Sequence, residues 1–406
     1  MAGIYVHIPF CRSRCIYCDF FSTTDEEKRD AYVSALCNEI RFTAQTYPHT
    51  RAHTIYIGGG TPSQLSPTQL ARILSTIEEH FPPFPDTEIT IEMNPDDIEE
   101  DVKCRMEDVK CSMFNVQCSM ANRLSLGIQT FDDQILRFLR RRHDSATAVK
   151  AVRSLQDAGI KNISIDLIYG LPGQTMEVWQ RDLDIAFSLG IQHLSAYALS
   201  FEEGTPLWQM RERGRVAEAD DALSVAMYDA LCDRADAAGF RHYEISNFAL
   251  PGFESRHNSS YWTGKPYFGF GPGAHSYDGD RTRWSNRPDL VEYLKIWGKS
   301  PSAGVLPPTG GDREGPQCSM FNVQCSINLT LSELYNEFVM CGLRTCEGVD
   351  LKKLEARFGQ SRLEYILRMA APHIADGRLL QSEGRLRLTR QALMVSDDVM
   401  SDLMVI

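Results

Sequence analysis

Cys11-Arg-Ser-Arg-Cys15-Ile-Tyr-Cys18 puts three thiols on one tight loop, spaced Cys-x3-Cys-x2-Cys, directly after a β-rich run at Ile4–Ile8. Three thiolates so arranged can hold three irons of a four-iron cluster, whereas a [4Fe–4S] cube normally takes four protein ligands. Asp19 and Phe20 come next, so the loop offers no fourth cysteine and one iron stays open to a small molecule. A Cys3His zinc site completed by His7 is the competing reading of the same residues. A chance gathering of buried cysteines is disfavoured by their density.

The chain holds 12 cysteines in 406 residues. Met1–Phe10 lacks a basic segment and is broken by His7 and Pro9, unlike a secretory signal, so a cytoplasmic protein without a disulfide framework is expected. Cys37, Cys104, Cys232, Cys341 and Cys346 are scattered and read as small buried hydrophobes. The remaining four lie in a duplicated string: Cys111–Ser119 recurs residue for residue at Cys318–Ser326. Cys104, Cys111 and Cys118 follow at heptad intervals, but so few heptads make no coiled coil, and the spacing suits no usual zinc site. An inserted segment without function is favoured over a metal-binding or coiled-coil element, and deleting both copies is expected to leave folding and activity intact.

Lys plus Arg is 42 and Asp plus Glu is 54, a net charge of −12, which argues against duplex DNA as the main ligand. With 43% hydrophobic and 24% charged residues the composition is globular. No apolar run approaches the roughly 20 residues of a membrane span.

The elements around the thiols alternate. Strand-like runs at Ile4–Ile8, Thr54–Ile57, Glu88–Glu92, Leu124–Gln129, Ile163–Tyr169 and Leu194–Leu199 are separated by amphipathic stretches at Glu26–Gln45, Pro67–His80, Ala146–Gly159 and Met176–Leu189, with another at Ala217–Ala238. This alternation implies an α/β fold of right-handed βαβ units, either an open sheet or an incomplete (β/α) barrel. A Pro-, Gly- and Ser-rich linker is expected over 299–326, dividing 1–298 from 327–406. In the latter, helical patterns at Leu331–Leu343, Lys352–Phe358 and Leu363–Ala371 precede a hairpin centred on Ser382-Glu-Gly384, an α+β, winged-helix-like appendage. No dense basic helix accompanies it, so packing is favoured over nucleic-acid binding.

Five strings carry a family resemblance: Ile4-Tyr-Val-His-Ile-Pro-Phe-Cys11, Gly58-Gly-Gly-Thr-Pro-Ser63, Ile91-Glu-Met-Asn-Pro95, Arg123-Leu-Ser-Leu-Gly-Ile-Gln-Thr-Phe131 and Ile165-Asp-Leu-Ile-Tyr-Gly-Leu-Pro-Gly-Gln-Thr175. With the cysteine loop they resemble radical S-adenosylmethionine (SAM) proteins of the oxygen-independent coproporphyrinogen III oxidase family, most closely its haem-chaperone (HemW) branch. The resemblance implies an incomplete (β/α)6 barrel, with Cys11, Cys15 and Cys18 ligating a [4Fe–4S] cluster whose free iron takes the amino and carboxylate groups of SAM. It also implies that Tyr5 and Tyr17 line the SAM site, that Gly59, Gly60 and Thr61 hold the methionine part, and that Glu92 contacts the ribose. Gln129, Arg141 and Asp166 match further SAM contacts. Taken alone, polar residues at strand ends often only cap helices, and Arg141 stands in an Arg140-Arg-Arg-His143 run that suits a solvated face. The strand-end positions favour the ligand role, because (β/α) folds bind ligands there. The interval from Glu92 to Gln129 exceeds the family pattern by about the length of the repeated string, which supports insertion.

Two branches compete. The oxidase branch decarboxylates coproporphyrinogen III with a radical from SAM; its loop carries a further cysteine where this chain has Phe20, and a longer segment before the cluster. The haem-chaperone branch carries a His-Asn-x-x-Tyr-Trp motif, matched here by His257-Asn-Ser-Ser-Tyr261-Trp262. Histidine can ligate haem iron while Tyr and Trp pack on the macrocycle. Without the resemblance, His257 reads as a hydrogen-bonded core corner. The favoured expectation is a haem carrier serving acceptor haem proteins, respiratory ones by analogy, at the inner membrane face, with no residue assigned to catalysis. The alternatives are the decarboxylase and, more weakly, a zinc-stabilised RNA-modifying protein. Gly269–His275 is glycine-rich without a strand–helix setting, so no dinucleotide fingerprint is expected.

Overall fold

The computed structural model describes residues 1–98, 121–299 and 324–405. Cys104, the first copy of the repeated string and residues 318–323 of the second lie outside the described residues.

Six strands run side by side in chain order: β1 (Ala2–Ile8), β2 (Ala52–Gly59), β3 (Pro83–Met93), β4 (Arg123–Gln129), β5 (Ile163–Tyr169) and β6 (His193–Ala198). All five pairings among them are parallel, as right-handed crossovers through helices require. Helices α1 (Arg29–Thr46) and α2 (Pro67–His80) follow β1 and β2; α3 (Asp133–Phe138) and α4 (Ser145–Asp157) follow β4, and α5 (Met176–Ser188) follows β5. After β6 come α6 (Pro206–Glu212) and α7 (Asp221–Ala237).

Within each strand the side chains alternate. Ile4, Val6, Ile55, Ile57, Leu124, Leu126, Ile163 and Ile165 are buried in the core they share with the helices, including Leu36, Leu70, Leu74, Val152 and Leu183. The opposite face carries Tyr5, Tyr56, Glu92, Ser125, Gln129, Asp166, Ser195 and Tyr197, and the register keeps them in rows: Tyr5 opposite Tyr56, Glu92 opposite Ser125, Asp166 opposite Ser195. One face is a hydrophobic core and the other a polar interior.

The arc does not close. Beyond β6 lie β7 (Arg241–Glu244) and β8 (Asn247–Ala249); beyond β1 lie β9 (Tyr267–Phe270), β10 (His275–Tyr277), β11 (Thr282–Asn286) and β12 (Gln324–Asn328), giving twelve strands. These six were not expected from the sequence, because three- to five-residue strands are too short to show a period. Gly271 and Gly273 lie in the turn between antiparallel β9 and β10, and the Gly271 N–H donates to Glu39 Oε2 at 2.9 Å, so this string has no phosphate-cradling geometry. β12 begins inside the repeated string: Ser285 pairs with Cys325 and Trp284 with Ser326. Composition alone put these residues in a linker; the structure gives three of them to a sheet edge, so deletion of the second copy would shorten a paired strand.

α8 (Arg256–Trp262) lies between β8 and β9, and α9 (Leu290–Trp297) follows β11. A second, separate core gathers Leu334, Tyr335, Val339, Leu354, Ile366 and Leu386. It is built by α10 (Leu331–Leu343), β13 (Val349–Asp350), α11 (Leu351–Phe358), α12 (Gln360–Ala375), the β14–β15 hairpin (Leu379–Ser382, Arg385–Leu388) and α13 (Ser396–Leu403). The hairpin turns at Glu383-Gly384 and β13 joins it in a three-stranded sheet, the winged-helix-like arrangement expected. This unit docks through backbone: the Ile245 N–H donates to Arg344 O and the Cys346 N–H to Tyr243 O, each at 3.1 Å.

Candidate functional site

The carboxyl ends of β1–β6 open into a cavity of about 460 Å³. Of the expected SAM and cluster residues, Cys11, Cys15, Cys18, Tyr17, Gly59, Gly60, Thr61, Glu92, Gln129, Arg141 and Asp166 all line it.

The thiol loop is fastened at both ends and in the middle. The Cys11 N–H donates to Thr23 O at 2.9 Å, and Leu207 donates to Ile16 O at 2.9 Å. The Ile16 side chain sits in an apolar cluster with Ile135, Leu139, Ile168 and Leu207, so the residue between Cys15 and Tyr17 ties the loop to the barrel. Burial pushes the Cys18 thiol up to about 11 and raises Cys11 too. Arg141 donates to Cys15 Sγ at 3.4 Å, to Asn94 Oδ1 at 2.7 Å and to Gly127 O at 2.5 Å. It is thus a fixed cation beside the thiols, and its Nε has no hydrogen-bond partner. Its placement follows from Asp132, whose carboxylate caps α3 by accepting from the Gln134 and Ile135 N–H groups.

The thiols separate the two metal readings. Ligands on one tetrahedral zinc at about 2.3 Å must lie about 4 Å from one another. Among the described residues no three His, Cys, Asp or Glu side chains stand closely enough to share a single ion in this way. Thiolates that each take a different iron of a cube stand further apart. His7, the expected fourth zinc ligand, has its Nδ1 bonded to the Tyr5 hydroxyl at 3.1 Å and its Nε2 to Phe21 O at 2.8 Å. Three thiols on one loop suit the donor set of a cluster, and His7 has no free ring nitrogen with which to complete a Cys3His zinc site.

The glycine loop fits a ligand brought close to backbone. Gly59 has φ +100, and a Cβ there would collide with the His7 ring; at Gly60 one would stand 2.7 Å from Ile8 O and 3.1 Å from Cys11 Sγ. Thr61 donates to Cys11 Sγ at 3.6 Å and accepts from Asn94 Nδ2 at 3.2 Å. Glu92 accepts from the Tyr56 hydroxyl at 2.6 Å and from the Gly59 N–H at 3.0 Å. Burial pushes its carboxyl up to about 7, against those two bonds. Asp166 rises to about 6, again by burial, opposed by its bond to Ser195. Arg123, 1% exposed on the same face, helps hold both acids down, yet its own Nε is unpartnered. Gln129 sits at φ +72, a strained conformation for a residue with a side chain. The turn after it is anchored by buried Asp182, which accepts from Thr130 Oγ1 at 2.7 Å and the Phe131 N–H at 2.8 Å.

Two expectations change. Tyr5 does not line the cavity: its hydroxyl is engaged with His7, and its strand partner Tyr56 takes the wall and the bond to Glu92. His257 is a hydrogen-bonded core corner. It is 1% exposed, its Nδ1 is bonded to Thr54 Oγ1 and its Nε2 to the Tyr261 hydroxyl, each at 2.8 Å, and burial pushes it down to about 3. Only Asn258 of that motif reaches the strand-end cavity. Tyr261 and Trp262 line a second cavity of about 450 Å³ between the barrel and the C-terminal unit, where the Arg344 guanidinium lies 4.5 Å from the Trp262 ring centre. Tyr56, Arg123, Ser125, Ser195 and Tyr197 were missed as wall residues; stepping back by twos from Gln129 would have found Ser125 and Arg123, and the same alternation applied to β2 and β6 would have found the other three.

A cysteine-bearing loop after the first strand, a partial parallel barrel and a glycine loop at the second strand define a radical-SAM scaffold. The radical SAM superfamily model matches residues 5–186 and the HemN C-terminal domain model matches 329–395. Proteins named heme chaperone HemW are similar along almost the whole length: that of Mycobacterium tuberculosis is 33% identical, covering 99% of this chain and 94% of its own, and that of Bacillus subtilis is 32% identical, covering 98% of both. The chain belongs to the HemW family. The solved structure of Escherichia coli coproporphyrinogen III oxidase (HemN) shares the fold, with a TM-score of 0.78 over all of this chain and 90% of that one, at 22% identity.

Proposed function

We propose that the protein is a haem chaperone, binding haem and delivering it to acceptor haem proteins, built on a radical-SAM scaffold. The observation that carries this reading is the near-full-length likeness to proteins named heme chaperone HemW. In this reading residues 1–298 form the SAM and cluster unit, 299–326 a connection whose last three residues join that unit's sheet in β12, and 327–406 the appendage. Acceptors of the respiratory type would bring the protein to a membrane face; among the described residues no helix is long and apolar enough to cross a membrane.

Cys11, Cys15 and Cys18 would hold three irons of a [4Fe–4S] cluster, leaving the fourth to the amino and carboxylate groups of SAM. Bound together, that pair supplies one-electron chemistry at the adenosyl sulfonium. Arg141 offsets the negative charge of the thiolates from its fixed position beside Cys15. Gly59, Gly60 and Thr61 would receive the methionine part against bare backbone, and Glu92 would exchange its bond from Tyr56 for ribose hydroxyls. Tyr17, Gln129 and Asp166 would close the remaining walls.

The test is anaerobic purification, cluster reconstitution, and two parallel assays. Stoichiometric haem uptake with transfer to an apo-haem protein, and no protoporphyrinogen from coproporphyrinogen III plus SAM and reductant, is expected. Protoporphyrinogen formation without haem uptake would overturn the reading in favour of the decarboxylase.

A further inference from the structure

We propose that Arg123 is a positioning residue for SAM: its guanidinium, set into the floor of the strand-end cavity, is the counter-charge that keeps the Glu92 and Asp166 carboxylates available to the donors of the adenosyl group. This rests on the SAM reading above and adds to it the residue on which both acids depend.

Arg123 opens β4, and Ser125, Gly127 and Gln129 follow it by twos on the cavity face. Leu124, Leu126 and Ile128 belong to the core. Ser125 and Gly127 are small, so the column above Arg123 stays open, and its long side chain reaches the cavity from about 7 Å below the level of Ser125. Glu92 is the register partner of Ser125, and Ser125 Oγ donates to Asp166 Oδ1 at 3.4 Å. β4 lies between β3 and β5, the strands that carry the two acids. Arg123 is 1% exposed, forms no ion pair or side-chain hydrogen bond among the described residues, and keeps a buried Nε without a partner. Thr90 Oγ1, at the paired position on β3, is buried without a partner as well. Arg141 and Arg142, higher on the same wall, are tied instead, Arg141 to Cys15, Asn94 and Gly127, and Arg142 to Asp96 and Asp97. A cation enclosed without a contact partner is tolerated only where opposite charge stands near.

The groups facing the acids leave Arg123 that task. Tyr5 of β1, Tyr56 of β2, Tyr197 of β6 and Tyr261 of α8 face Glu92, and all four are shifted further from ionisation than an ordinary tyrosine, so they are neutral. Among the described residues the charges that act on Glu92 are Asp166 and Arg123. Asp166 feels Arg123 and, more weakly, Arg141, which is committed to the thiol loop. His193 and His257 are pushed down by burial, with Arg123 adding to the effect, and carry no charge. Two buried carboxyls that face each other oppose each other's ionisation, and one cation favours it in both. Burial pushes Glu92 up to about 7 and Asp166 to about 6 with Arg123 in place. Without that cation both move toward the protonated form at neutral pH, which has less acceptor capacity for ribose hydroxyls.

The experiment measures SAM affinity by equilibrium dialysis on the full-length, cluster-loaded protein from about pH 6 to about pH 9. Each variant is read as its ratio to wild type at the same pH, which cancels the ligand's own titration. Carboxylate acceptors are present above their pKa and lost as pH falls through it, so removing the cation moves that loss to higher pH. Arg123→Met, which keeps length without charge, is expected to bind SAM about tenfold more weakly at pH 7 and to regain wild-type affinity by about pH 9. Arg123→Gln is expected to behave alike and serves where the apolar variant does not fold. Arg123→Lys, which retains the charge, is expected to stay within about threefold of wild type throughout. Added to Glu92→Gln, Arg123→Met is expected to cost less than it does alone, because it acts through the acid. Iron and sulfide content are expected to remain those of wild type. A loss equal at every pH, a loss that lysine does not restore, full additivity with Glu92→Gln, or unchanged affinity overturns the assignment while wild-type binding still supports the SAM reading. Absence of SAM binding by wild type overturns the SAM reading itself and this assignment with it.

Discussion

The strand-end cavity and the interdomain cavity have nearly equal volumes, about 460 and 450 Å³, and are made in different ways. The first is walled by alternate residues of consecutive parallel strands and the loops that leave them. Its charges are buried and strained: Glu92 pushed up to about 7, Asp166 to about 6, and Arg123 and Arg141 each with an unpartnered Nε. The second is walled by helices and loops of two separately packed units, and most of its charges are already paired across the joint, as Arg283 is with Glu337 at 2.8 Å. A cavity whose polar groups lack partners is built for a bound ligand that supplies them. The interdomain cavity, whose charges mostly satisfy one another, makes no such demand on a ligand.

The largest expected effect that would break this comparison is at the thiol loop. Cys15→Ala should abolish cluster reconstitution, measured as iron and sulfide content, while haem titration continues unchanged; loss of both together would show that the strand-end cavity also serves haem. Next comes Gly59→Ala. The residue sits at φ +100 against the His7 ring, so the variant should cost about 1–3 kcal/mol and lower the melting temperature by several degrees. A melting curve equal to wild type would contradict the close approach.

Glu92→Gln sharpens the contrast in charge. Its folded-state value near 7 lies above its ordinary 4.5, so the unfolded chain gives up this proton first as pH rises. Stability from this group is whole below about 4.5 and is lost as pH climbs through about 7. The glutamine variant should therefore flatten the decline seen in thermal melts between about pH 5 and pH 8, and should weaken SAM binding by about tenfold in equilibrium dialysis. An unaltered pH profile would mean that Glu92 does not carry the strain. The smallest effect is expected from Trp262→Ala, which removes the ring under Arg344: about 1 kcal/mol of stability with SAM affinity unchanged in the same dialysis. A fall in SAM affinity there would couple the cavities.

The strand-end site was largely legible because its residues obey short-range rules. Cys11, Cys15 and Cys18 share one loop, and Glu92, Gln129 and Asp166 stand at or near the ends of strands that the apolar runs announce. Tyr5 misled because both it and Tyr56 belong to the polar face, and only their side-chain partners decide which one forms the wall. His257 was ambiguous for the same reason: Thr54 lies far from it in the chain, and its distance from Nδ1 has no trace in the local sequence. The short strands between Arg241 and Asn286 carried no readable period, and composition hid the start of β12.

Local chemistry alone determined the alternating strands and helices, the thiol loop and the polar strand faces, since spacing along the chain sets which side chains share a surface. Tertiary structure decided which imidazole nitrogens are free, which cations lack a carboxylate, and that Trp262, Cys346 and Arg357 meet in one cavity. Those facts depend on contacts between residues far apart in the chain, formed only when α8 and the C-terminal unit pack together and exclude water.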